Sequence, residues 1–352
     1  MNSVSQEAKK QRWKLVLTLI TFAALGILIY SVRRQIGDTF DNLSKVNAYA
    51  LLLMIPLQAL NYHAYTRLYQ DILAMLDEKI SYRAMFKVQL ELNFVNHILP
   101  SGGVSGFSYF GLRMRKHNIP ASKATLTQFM RFILVFISFE VLLLLGLLTL
   151  AIGGQANNLM ILISGSVATL LVVITVGLAF ILGSKARING FSNFISLFIN
   201  RLVHFVRPKK PDVIDVERVR RLFTDLHENY VILQRNYKQL KWPLVYSFLG
   251  NLTEVLTVYV VYIAFGHWVN PGAVIIAYAI ANFAGLISIL PAGVGIYEGL
   301  MTAILAAAGV PAGLSIPVTV MYRVLSMSIQ LPPGYFLYYR YLHQKPDHVT
   351  EQ

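Results

Sequence analysis

Apolar residues run along this chain in long blocks, and the blocks have membrane length. A helix needs about 20 mostly apolar residues to cross a bilayer. Six blocks meet that requirement: residues 14–30, 48–69, 124–152, 159–183, 242–265 and 313–341. Two more, 84–112 and 273–308, are broken near their middles. The breaks read Leu99-Pro100-Ser101-Gly102-Gly103 and Pro291-Ala292-Gly293-Val294-Gly295. Proline removes a backbone donor and glycine loosens the helix. Each broken block therefore reads as two half-helices forming a re-entrant hairpin. The pattern predicts an all-α, polytopic integral membrane protein, a single transmembrane domain over 1–352 with about six full spans and two re-entrant hairpins. Block 14–30 lacks a small-residue cleavage site and is followed by Arg33 and Arg34, so it reads as a retained span and not a signal peptide.

Only residues 184–241 are polar enough for a substantial element outside the membrane. Phe191, Phe194, Ile195, Phe198, Leu202 and Phe205 recur there at helical spacing among basic residues. This is the pattern of an amphipathic helix on an anionic leaflet, or of a solvated connecting helix. Residues 213–240 suit a helical hairpin.

Composition agrees with the blocks. Charged residues make up 14% of the 352, against about a quarter in a soluble domain. The 31 Lys and Arg exceed the 17 Asp and Glu, for a net charge of +14. In a soluble chain that surplus would point to nucleic acid; between membrane spans it is the positive-inside bias, and no nucleic-acid partner is expected. With the amino terminus inside and both hairpins returning to their own sides, 26 of the 31 basic residues fall on one face. Both termini are then cytoplasmic, in the cell's inner membrane. Arg33, Arg34 and Lys45 face outside, while Arg131 and Arg323 lie within spans. Cysteine is absent, which excludes thiolate chemistry and disulfides.

The two broken blocks resemble each other beyond their breaks. Asn93-Phe94 and Asn282-Phe283 precede them, and Pro100 to Pro120 and Pro291 to Pro311 are both 20 residues apart. Arg131 lies 31 residues after Pro100 and Arg323 lies 32 after Pro291; Asn61 and Asn251 precede the breaks by 39 and 40. Residues 48–152 and 242–341 thus read as two repeats, and the sidedness makes them inverted. Inverted repeats with broken helices are a recurring transporter plan.

Chemistry within the spans rests on few residues. Backbone freed at membrane depth must be buried in protein or line a wet cavity, so Gly102, Gly103, Gly293 and Gly295 are candidates to approach an anion. Arg131 and Arg323 are candidates to grip a lipid phosphate, because guanidinium is always charged and binds phosphate bidentately. The alternative for each is an ion pair, Arg323 with Glu298 or Arg131 with Glu91. Glu298 and Glu254 are candidates for proton coupling or headgroup contact. Asn61, Glu91, Asn93, Asn251 and Asn282 are supporting polar groups; Glu140 and His97 read as structural. The eight histidines are dispersed and no nucleotide loop or nucleophile elbow appears, so no metal, no cofactor and no enzymatic activity are expected.

The break with Gly111-Leu112-Arg113-Met114-Arg115-Lys116 after it, the stretch Ile289-Leu290-Pro291-Ala292-Gly293-Val294-Gly295-Ile296-Tyr297-Glu298-Gly299-Leu300, and Met321-Tyr322-Arg323 resemble the lysylphosphatidylglycerol synthase transmembrane-region, or flippase-like, family. The resemblance implies a bacterial or archaeal membrane protein that moves an anionic phospholipid or a polyprenyl-phosphate-linked lipid. Alternatively, it implies an accessory subunit working with a cytoplasmic glycosyltransferase or lipid-modifying enzyme. The last apolar block ends about ten residues before Gln352, so the synthase activity in the family's name is not expected.

Overall fold

The chain, a computed structural model, is described over residues 33–99, 104–191, 216–287 and 291–343, with single positions in 19–30 and 193–197. Among these residues regular structure is helical, and no strand occurs.

Asn47 starts a single turn at Ala48–Leu51, its side chain accepting from the amides of Tyr49 and Ala50 at 3.1 and 3.3 Å. The chain then restarts as α1 (Met54–Met75). The block expected over 48–69 is therefore two pieces and shifted. Pro56 supplies the reason: it has no amide hydrogen to bond the Leu52 carbonyl four residues back, so the helical ladder is interrupted there. Ser81 opens α2 (Tyr82–Ile98), its hydroxyl accepting from the Ala84 amide at 3.3 Å. After the first break come α3 (Val104–Arg115), α4 (Ala121–Ile152) and α5 (Asn158–Leu182). Further on are α6 (Val216–Arg235), α7 (Lys241–Ala264) and α8 (Pro271–Ile287). A short turn, Pro291–Gly293, leads to α9 (Ile296–Ala307) and α10 (Ala312–His343).

Among the described residues, four helical segments are long and apolar enough to cross a membrane: α4, α5, α7 with its preceding turn, and α10. The protein is a multi-pass membrane protein, with fewer such helices than the six spans expected. Of residues 14–30 only 19, 23, 26, 27, 29 and 30 are described, so this expected span is not settled by the described residues. Helix α1 has the length but carries Gln58, Asn61, His63, Arg67, Gln70 and Asp71. Its polarity follows from its position, since Gln58 and Asn61 are buried against other helices. Pro100 to Gly103 also lie outside the described residues, and with them the glycines of the first break.

The helix pairings repeat between the halves. Helix α1 crosses α7 antiparallel, with Asn61 donating to the Gly250 carbonyl and Gln58 to the Thr257 hydroxyl. Helix α2 packs on α10 and folds back on α3; α8 packs on α4 and folds back on α9. Glycines permit the close crossings. A Cβ on Gly334 would stand 2.5 Å from the Leu90 carbonyl oxygen, and one on Gly272 would stand 2.3 Å from that of Gly146. Small residues at helix interfaces let backbones approach this closely.

The α8–α9 pair has both ends at the far end of α4. The Asn270 side chain donates to the Thr149 carbonyl at 3.3 Å, and Asn157 donates to the Ala307 carbonyl at 2.8 Å. The α2–α3 pair has both ends near the start of α4, where Ser81 and Arg113 share one concavity with Arg340. The ends of the two pairs thus lie at opposite ends of α4.

Two apolar clusters organise the interior. One is built around α7, α8, α9 and the second half of α4; the other around α1, α2, α3 and the end of α10. In the polar segment, α6 buries Leu226 and Leu233 and packs on α4. The helical hairpin expected over 213–240 is instead one helix, α6, followed by a short turn at Tyr237–Leu240 that runs into α7. Most of the stretch expected on the membrane surface, 192–215, lies outside the described residues.

Candidate functional site

A cavity of about 260 Å³ lies between the halves, lined by polar side chains from both. Helix α1 contributes Asn61, Tyr65 and Tyr69. Helix α2 contributes Gln89, Asn93, Asn96 and His97, one face of a helix at i, i+4, i+7 spacing. Gln128 and Arg131 come from α4, Glu254 from α7, and Tyr278 and Asn282 from α8. Ala292 and Gly293 at the second break, Tyr297 of α9, and Tyr322, Arg323 and Gln330 of α10 complete it.

The two intramembrane arginines meet this cavity in different states. Arg323 is committed. Its Nη1 donates to Glu298 Oε1 at 2.8 Å and its Nη2 to the Ala292 carbonyl. Ala292 has φ 50°, a left-handed conformation that disfavours a Cβ, and this turn presents its carbonyl to Arg323. Glu298 is committed on its other side as well, accepting from the Gly295 amide at 2.7 Å. That contact satisfies an amide at the start of α9 which would otherwise be free for an anion. The ion pair Arg323–Glu298, one of the two alternatives above, is therefore present.

Arg131 has no carboxylate within ion-pair distance among the described residues. Its guanidinium carbon lies 5.5, 5.9 and 5.4 Å from the ring centroids of Tyr65, Tyr69 and Phe132, and its buried Nε has no partner. Aromatic faces moderate a buried cation but leave its donors unused. The pairing of Arg131 with Glu91 does not form, because Glu91 turns away from the cavity and binds Arg113, Nε to Oε2 at 2.7 Å.

Glu254 is the counterpart of Arg131, a half-buried carboxylate with no cation within ion-pair distance among the described residues. Its Oε2 accepts from Tyr322 at 3.0 Å and from Gln58 at 3.5 Å, and its Oε1 accepts from Gln330 at 3.4 Å. Gln330 also donates to Gln58 at 2.6 Å and accepts from Asn93 at 2.9 Å. This chain of amides and hydroxyls joins α1, α2, α7 and α10 across the centre. Tyr278 accepts from Asn282 at 2.6 Å.

Of the residues singled out from the sequence, the cavity gathers Arg131, Arg323, Gly293, Glu254, Asn61, Asn93 and Asn282. Glu298 stands one contact behind it and Gly295 caps α9. Asn251 points into the α1–α4–α7 contact, accepting from Tyr65 at 2.9 Å and donating to Ser138. Gly102 and Gly103 lie outside the described residues. Sequence reasoning missed Tyr65, Tyr69, Gln89, Gln128, Tyr322 and Gln330. Glutamines inside apolar blocks were the available signal, since an amide at membrane depth needs a partner or a wet wall. Among the described residues no cluster of three His, Asp or Glu could hold a metal.

The sequence model described as "Lysylphosphatidylglycerol synthase TM region" matches residues 13–334. A UPF0104 membrane protein of Pyrococcus horikoshii is 23% identical over 241 residues, which cover 67% of this chain and 70% of that one. Two UPF0104 membrane proteins of Methanothermobacter thermautotrophicus are similar over shorter stretches. One is 35% identical over 91 residues, 26% of this chain and 27% of the relative; the other is 32% identical over 111, 30% of this chain and 32% of the relative.

Proposed function

This chain belongs to the lysylphosphatidylglycerol synthase TM-region family, and from that membership we propose that it moves an anionic phospholipid or polyprenyl-phosphate-linked lipid across the cytoplasmic membrane. One observation carries the proposal. Arg131, an uncancelled guanidinium with an unpartnered buried Nε, faces a polar cavity built from both halves. A buried cation is stable only with a partner or water nearby, and a phosphate is the partner that best fits its fork. The matching pairings of the halves, and hairpins whose ends lie at opposite ends of α4, support an inverted repeat with both breaks re-entrant. Such halves can exchange conformations, opening one site to either face. The excess of basic residues in the loops supports a cytoplasmic placement of both termini. With Glu298 occupied by Arg323 and Gly295, the proton-coupling role falls to Glu254, whose hydrogen-bond partners are all neutral.

The test is flipping of a fluorescent anionic lipid in vesicles carrying the purified protein. Arg131→Gln is expected to reduce the rate to that of protein-free vesicles. Wild-type flipping retained in Arg131→Gln overturns the proposal. No flipping by the wild type, with a soluble enzyme copurifying, replaces it with the accessory-subunit reading.

A further inference from the structure

Helix α2 has a second polar face that transport through the central cavity does not use. Gln89, Asn93 and Asn96 face the centre. Lys87 and Glu91, another i, i+4 pair set round the helix from them, face a separate cup of about 370 Å³. Arg83 enters the cup from the start of α2, Arg113 and His117 from the end of α3, and Arg340 and Tyr341 from the end of α10.

Glu91 is the carboxylate of the cup, and it is already used. Arg113 Nε lies 2.7 Å from Glu91 Oε2 and Arg113 Nη2 donates to Oε1 at 3.3 Å, while the Tyr109 hydroxyl donates to Oε2 at 2.9 Å. The Arg113 guanidinium is stacked on Tyr341 at 4.2 Å, and the Lys116 ammonium lies 4.4 Å from the same ring. Burial, together with Arg113 and Lys116 nearby, lowers the pKa of His117, so this histidine is neutral at pH 7. Arg83, Lys87 and Arg340 have no carboxylate within ion-pair distance among the described residues. Three uncancelled cations therefore surround one cancelled pair. Basic residues that serve only to fix orientation need no convergence, and like charges gathered in a concavity repel each other. A buried pair stacked on a tyrosine at the floor of the cup is also more than orientation requires.

We propose that this cup is a second anion site, separate from the central cavity, that binds a phosphate group. Two cationic side-chain types fit such a ligand: a fork at Arg83 or Arg340 for two oxygens, and a point charge at Lys87. The phosphate has two sources, a lipid headgroup at the leaflet or a free phosphate compound in water. Exposed aromatic side chains, Tyr82 beside Ser81 and Phe336 beside Leu337, are placed to meet acyl chains in the first case.

The experiment uses the full chain in phosphatidylcholine nanodiscs. In one arm a small share of phosphatidic acid is added and retained lipid is weighed by native mass spectrometry. In the other, pyrophosphate is titrated by calorimetry with phosphatidylcholine alone. The variant Lys87→Gln with Arg340→Gln changes exposed side chains of the cup. The control, Arg115→Gln with Lys238→Gln, removes the same charge outside it. The cup variant is expected to bind at least about tenfold more weakly, the control within about twofold of wild type. Loss confined to phosphatidic acid identifies a lipid headgroup, and loss of pyrophosphate binding identifies a free phosphate. Equal losses in cup variant and control, or no binding of either probe by the wild type, overturn the site.

Discussion

Arg131 and Arg323 occupy matching sequence positions but do different work. Arg323 is 6% exposed and its charge is cancelled by Glu298, itself 13% exposed. Removing one member of such a pair strands the other, at about 3 kcal/mol. Glu298→Gln should therefore lower stability by about that amount, read as a drop in thermal unfolding temperature in detergent. Arg131→Gln removes only ring contacts and should cost under about 1 kcal/mol. Equal losses in the two variants would show that Arg131 has a structural partner after all. Legibility at this scale was uneven. The sequence marked both arginines as buried cations, but which of them keeps its carboxylate depended on three-dimensional reach. Glu298 reaches Arg323 across the α9–α10 contact, while Glu91, an equally available acid by sequence, is buried on another face of α2 against Arg113.

At the scale of elements, the helices were largely legible and their crossings were not. The expected blocks at 124–152, 159–183 and 242–265 lie within one to three residues of α4, α5 and α7, because an uninterrupted apolar run has only one way to satisfy its backbone in lipid. Block 48–69 is displaced to α1, Met54–Met75, whose mean hydropathy is lowered by Gln58 and Asn61, buried contacts of a protein-facing helix. The crossings depend on particular glycines. At Gly334 an added methyl would meet the Leu90 carbonyl oxygen at 2.5 Å and the Phe94 Cβ at 2.7 Å, so backbone must shift. Gly334→Ala should destabilise by about 2 kcal/mol through overpacking. Gly165→Ala on α5, where nothing lies within 4 Å of the added atom, should be neutral or stabilising by up to about 1 kcal/mol. Thermal unfolding compares the two, and a tolerant Gly334 would mean that α2 and α10 can separate freely.

For the whole molecule, the proposed orientation rests on the count of basic residues on one face. The natural absence of cysteine makes it directly measurable. Gly154→Cys, in the α4–α5 turn, should react with a membrane-impermeant maleimide on intact cells. Gln239→Cys, before α7, should react only after permeabilisation. The reverse pattern would invert every helix and place the cationic cup at the outer leaflet.

The sequence by itself determined that this is a helical membrane protein, because hydrophobic length is a property of the chain read in order, and its Pro/Gly breaks and repeated spacing are the basis on which the repeat is proposed. It also isolated Arg131 and Arg323, since a charge inside an apolar block is visible without coordinates. Only the tertiary structure decided how those charges are answered. Pairing, cavity lining and the two faces of α2 depend on distances between helices that are far apart in sequence. A guanidinium is cancelled or left free by a carboxylate a few ångströms away, and linear spacing does not encode that separation.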